Sequence, residues 1–153
     1  MRLTENTKIT IKDAINATGG LQTAGNGVNM KNYAKARIIL TVACSNASVV
    51  GGAVTLKQGT TASCATTLAF SEYWKNEDVL AADMLTRVEA ATLAAGIQNK
   101  TAQYIFEVRA DMLDSDTFNS ENQFIRLDLA DITTATEVSN LVYELYELSL
   151  IHI

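Results

Sequence analysis

The residues able to do chemistry are few, and their spacing suits none of the common reactions. The single histidine is His152, at the far end of the chain, so a Ser–His–Asp or Cys–His nucleophile has no other imidazole to act as its base. Structural zinc takes about four Cys or His ligands, and Cys44, Cys64 and His152 are the whole supply. The glycines of the 19–27 stretch (Gly19, Gly20, Gly25, Gly27) lack the strand–Gly–helix setting and the closing Lys-Ser/Thr of a phosphate loop. Asp111-Met112-Leu113-Asp114-Ser115-Asp116 could offer carboxylates to calcium, yet it has neither the central glycine nor the late glutamate of an EF-hand loop. It reads as a solvated acidic connection. Glu72, Glu77, Asp78 and Asp83 could supply the carboxylate pair of a glycoside hydrolase, but nothing in their spacing requires it. No catalytic, cofactor-binding or metal-ligating residue is therefore expected, and the chain reads as non-enzymatic. The aromatic pair Tyr73 and Trp74 is the one candidate for an interface. Adjacent aromatics on a loop can stack on a sugar or fill a partner's pocket, and the competing reading is that Trp74 caps one end of a core.

The elements that would carry these residues are strands. In Ala36-Arg37-Ile38-Ile39-Leu40-Thr41-Val42-Ala43-Cys44, the residues Ile38, Leu40, Val42 and Cys44 share one face, and Arg37, Ile39 and Thr41 the other. Successive side chains of a strand point to opposite faces, so the segment reads as half-buried β-structure. Further strands are expected over 8–12, 53–58, 66–70, 86–93, 103–110, 124–129 and 137–147. The last of these also fits a helix in part, and its aromatic and β-branched residues decide for a strand. The 35–44 and 53–58 strands read as a hairpin with a longish loop. Residues 72–85 read as irregular with one helical turn, and 14–27 as a long loop. The expected architecture is an all-β antiparallel sandwich of seven to eight strands, jelly-roll or Greek-key like. Its expected organisation is an N-terminal arm with one short strand (1–32), a sandwich domain (33–147) and a tail (148–153).

The chain has 153 residues, enough for one domain with a proper core. Charged residues make up 19%, below the ~25% of ordinary soluble domains, which suits a surface packed against neighbours. The net charge is −5 and the twelve Lys and Arg are scattered. Phosphate backbones and anionic membranes call for clustered cations, so neither nucleic acid nor a membrane is expected as a partner. No apolar run reaches the ~18–20 residues that span a bilayer, and the first residues lack the apolar segment of a secretory signal. Cys44 continues a buried face, whereas Cys64, in a Thr/Ser/Ala-rich connection, reads as incidental. Proline is absent, so Gly, Asn, Asp and Ser must make the turns.

Two resemblances follow from particular residues. The block Asn32-Tyr33-Ala34-Lys35-Ala36-Arg37-Ile38-Ile39-Leu40-Thr41-Val42, followed by Ala53-Val54-Thr55-Leu56-Lys57-Gln58-Gly59-Thr60-Thr61-Ala62, resembles small structural proteins of tailed bacteriophages encoded near the major capsid gene. Tyr104-Ile105-Phe106-Glu107-Val108-Arg109-Ala110-Asp111-Met112-Leu113-Asp114 and Phe124-Ile125-Arg126-Leu127 share the likeness. The resemblance implies a virion component assembled in the host cytoplasm, a capsid decoration or cement protein. Its implied partners are the major capsid protein and copies of itself, often as a trimer, with no catalytic residues. An alternative on the same fold is a carbohydrate-binding or adhesin-like module working through Tyr73 and Trp74. Separately, Leu148-Ser149-Leu150-Ile151-His152-Ile153 resembles the translation of a transposase mosaic-end sequencing adapter, so 148–153 is expected to be a non-native tail.

Overall fold

Alternation decides which way each strand faces, and in this protein it holds along the longest ones. The computed structural model describes residues 7–16, 26–45, 50–114, 123–130, 132 and 137–148. Eleven strands lie among them: β1 (Thr7–Asn16), β2 (Val28–Asn29), β3 (Tyr33–Cys44), β4 (Gly52–Gly59), β5 (Thr66–Leu68), β6 (Tyr73–Asn76), β7 (Thr86–Val88), β8 (Ala94–Ala95), β9 (Thr101–Arg109), β10 (Phe124–Leu129) and β11 (Glu137–Leu148). One 3-10 turn, Ala110–Met112, follows β9, and no α-helix occurs among the described residues. In β3 every second residue from Ala36 to Cys44 is buried and those between are half-buried. β9 repeats the pattern with Ala102, Tyr104, Phe106 and Val108.

The strands form two antiparallel sheets packed as a sandwich. The larger runs β1-β11-β3-β9-β6-β7 and the smaller β2-β10-β4-β5, with β8 pairing β4. The inner face of the large sheet carries Ile38, Leu40, Val42, Tyr104, Phe106, Leu141, Tyr143 and Leu145. The small sheet answers with Val54, Leu56, Ile125, Leu127 and Leu129, and Val28 and Met30 join the same core. Each such side chain contributes about 1.5–3 kcal/mol by leaving water, which makes this core the main source of stability. A polar bond also crosses it. β10 pairs with β4 from Phe124 to Leu129, but with β2 only at Phe124 and Ile125. The Leu127 N–H lies beyond the reach of β2, and it donates to the hydroxyl of Tyr143 in the opposite sheet at 2.8 Å.

Each of the eight expected strands has a counterpart, but the one expected over 86–93 is confined to Thr86–Val88 and the one over 66–70 to Thr66–Leu68, and β2, β6 and β8 are additional. These three have two to four residues, too few for a period of two to register. The hairpin expected between β3 and β4 does not form. β3 lies between β11 and β9, while β4 lies between β10 and β5 in the other sheet. Their apolar faces meet across the core instead of lying side by side, which alternation within each strand cannot distinguish. Residues 72–85, expected as irregular, begin with the strand β6. β1 extends to Asn16, into the segment expected as a loop, with register shifts on either side of Asp13. Of the expected arm, β1 pairs with β11 and β2 with β10. Leu148 closes the β11–β3 ladder opposite Tyr33, and the rest of the expected tail lies outside the described residues.

Candidate functional site

The outward side of the large sheet holds an arrangement that single strands do not reveal. Directly opposed residues of antiparallel strands share a face. Ile11 is opposite Val142, Val142 opposite Ile39, Ile39 opposite Ile105, and Ile105 opposite Trp74. All five point away from the core, because their neighbours Ile38, Leu40, Tyr104, Phe106, Leu141, Tyr143 and Tyr73 are the buried ones. An apolar row thus crosses five strands on the solvent side. Ile11 is 63% exposed and the other four are half-buried.

Polar rows flank it. On one side Ile9, Glu144, Arg37 and Glu107 align. Arg37 lies 3.1 Å from Glu144 and 3.5 Å from Glu107, with its guanidinium 5.4 Å from the ring centre of Tyr146. Lys35 bonds Glu147 at 2.7 Å, and that bond raises the pKa of the ammonium. Exposed pairs of this kind add little stability. On the other side Asn140, Thr41 and Gln103 align as neutral hydrogen-bonding groups, with Gln103 Nε2 3.5 Å from Thr41 Oγ1.

β1 inverts the usual pattern. Its inward phase holds Lys8 and Thr10, opposite Leu145 and Tyr143, and its outward phase holds Ile9 and Ile11, 64% and 63% exposed. A strand folded only for its own core would carry isoleucine on the other phase. β1 is also the long edge. The edge strands β7, β2 and β5 run to two or three residues, whereas β1 has ten. Long edges with exposed apolar side chains are pairing and docking sites. The turn after β6 presents a second apolar group, with Leu80 84% and Met84 75% exposed.

The expected pair Tyr73 and Trp74 separates. Adjacent residues of a strand face opposite ways, so Tyr73 is 6% exposed and packs on Phe70, Tyr104 and Phe106 in the core. Trp74 ends the outer row and lines a shallow cavity of about 180 Å³ with Glu72, Glu107, Arg109 and Met112. Of the acids that could pair for catalysis, Glu77 and Asp78 line one open pocket with Lys75 and Lys100, and Glu72 lies apart from it beside Trp74. Glu72 pairs with Arg87, Glu77 with Lys75, and Asp78 accepts from the Leu80 N–H in its own turn. Asp111 pairs with Arg109 at 3.0 Å, while Ser115 and Asp116 lie outside the described residues, as does His152. Among the described residues no three His, Cys, Asp or Glu cluster as metal ligands would.

Cys64, expected as incidental, is 1% exposed, sealed beneath the 59–65 turn, and burial raises its thiol pKa to about 11. It sits close to Arg126, which grips Asp128 at 2.6 and 2.8 Å and donates to Ser63 O at 2.7 Å. Cys44 is 5% exposed, and no disulfide links the two. No helix among the described residues is long and apolar enough to cross a membrane.

The outer row was missed by reading strands one at a time. Its signal was present: Ile39, Ile105 and Val142 are apolar residues on the polar phase of otherwise regular strands. No protein-family model, curated protein or solved structure matches the chain.

Proposed function

We propose that this protein is a non-enzymatic structural component of a phage virion, one that decorates or cements the capsid through sheet-edge and loop contacts. Its partners on this reading are the major capsid protein and further copies of itself. The observation that carries the reading is the placement of large apolar side chains on solvent-facing rims: Ile9 and Ile11 on the long edge strand, Leu80 and Met84 on the turn after β6. Repeated over a shell, modest contacts of this kind multiply by valency, so no single site has to dominate. The resemblance of the 32–62 and 104–114 segments to phage structural proteins supports the same assignment.

The test is to sequence the neighbouring genes for a major capsid protein and to co-sediment the purified chain with empty shells of that protein. Saturable binding and a raised melting temperature of the shells are expected. Shells that neither retain the protein nor gain heat resistance would reject the proposal. The carbohydrate-binding reading rests on a separate observation, the cavity beside Trp74 with its flanking Glu72, Glu107 and Arg109. An aromatic face beside carboxylate and guanidinium groups suits a sugar ring. A glycan array answers it: a specific signal lost in Trp74→Ala would favour the lectin.

A further inference from the structure

We propose that the outer face of the six-stranded sheet is the surface on which a second copy of this chain packs, as a two-fold pair centred on Ile39. The inference rests on the reading of the protein as one that assembles, and is independent of where in a virion it does so.

Three observations select a second copy. The first is the inverted pattern of β1. Ile9 and Ile11 extend the apolar face outward, where nothing in the chain's own core uses them. The second is area. Six strands spaced about 4.8 Å apart, with the nine-residue β3–β9 register rising about 3.3 Å per residue, give a face of about 700 Å². A specific interface of standard size takes about 800 Å² from each partner.

The third is charge. A two-fold axis lying in the interface along the row Ile11–Val142–Ile39–Ile105–Trp74 stacks that row on its own copy. It also turns each polar flank onto the opposite flank. Glu144 then meets the other copy's Asn140, Arg37 meets Thr41, and Glu107 meets Gln103. Each carboxylate faces an amide that can donate, and the guanidinium faces a hydroxyl that can accept. An axis along the strands would instead set Arg37 on Arg37 and Glu144 on Glu107, and like charges in an interface are disfavoured. The face is self-complementary in the first orientation, as an isologous contact requires.

The test uses the full chain in sedimentation velocity from low to high micromolar concentration. A monomer–dimer equilibrium is expected. Ile39→Lys should shift it to monomer with an unchanged circular dichroism spectrum, raising the dissociation constant about a hundredfold or more by placing a charge at the centre of a buried face. Gln103→Glu should weaken it about tenfold, because a carboxylate then faces Glu107 of the other copy. Cross-linking provides a measurement that does not depend on disrupting the face. Cys44 and Cys64 are buried, so Ile39→Cys adds the one accessible thiol, and a short bis-maleimide should link two chains. Thr67→Cys, exposed on the other sheet, should stay unlinked.

A monomer at every concentration overturns the proposal, as does a trimer mass, association untouched by Gln103→Glu, or equal linking through position 67. Binding to capsid shells is read separately. A monomer that binds shells rejects the pair and keeps the capsid reading, and a dimer that ignores shells does the reverse.

Discussion

Replacing Tyr143 by phenylalanine tests the packing of the two sheets through a single atom. The Tyr143 ring is fully buried, and its hydroxyl accepts the Leu127 N–H at 2.8 Å from the opposing sheet. Phenylalanine keeps the ring and its contacts but leaves that N–H without its acceptor. Leu127 is 1% exposed, so water cannot take over. An orphaned buried donor costs its full desolvation, about 1–3 kcal/mol. For a domain of this size that corresponds to a melting temperature lower by about 3–10 °C. Tyr104→Phe is the matched control. Its hydroxyl accepts from the Gly96 N–H at 3.2 Å, and Gly96 is only half-buried, so solvent can replace the bond. The expected loss there is about 0.5 kcal/mol. Urea unfolding of the wild type and both variants, with equal m-values, measures the difference. A loss for Tyr143→Phe no larger than that for Tyr104→Phe would refute the account of a cross-sheet bond.

Gly52→Ala should destabilise the fold by about 1–3 kcal/mol in the same assay, because a Cβ at that position would lie 2.2 Å from the backbone oxygen of Ala130. Stability should fall above pH 9. Burial raises the Cys64 pKa from 9.0 to about 11, so between those values the folded state binds more protons than the unfolded one. Its contribution is then complete below pH 9 and lost as pH rises through 11, by about 1–3 kcal/mol. Burial raises the Tyr104 pKa as well, so Cys64→Ala should flatten the urea-derived pH profile without abolishing its slope. Neither native thiol should react with Ellman's reagent at pH 8 until denaturant is added, and a fast-reacting thiol would contradict their burial. Ile9→Lys with Ile11→Lys should change the stability of the monomer, measured by urea unfolding below the concentration of self-association, by no more than about 0.5 kcal/mol, as exposed positions do, while weakening both self-association and retention on capsid shells.

Much of the sandwich is legible along single strands. The alternation in Ala36–Cys44, in Tyr104–Val108 and in Ile125–Leu129 names core residues that are indeed buried. It does so because a pleated strand leaves each side chain only two directions. The same rule separates Tyr73 from Trp74 once β6 is recognised. Asn76, Glu77 and Asp78 obscure it, since the turn they make begins as that four-residue strand ends.

Strand partners are a different matter. Every half-buried strand alternates alike, so period alone cannot tell that β3 lies between β11 and β9 while β4 crosses to the other sheet. That choice follows from how the apolar faces fill one shared core, a property of all the strands together. The outer row is decided in the same way. Ile11, Val142, Ile39, Ile105 and Trp74 are scattered along the chain, and only the register of four ladders brings them into line. The sequence by itself determined which side chains could face inward. The tertiary structure decided which of the remainder stand together, because lateral neighbours in a sheet are set by long-range pairing.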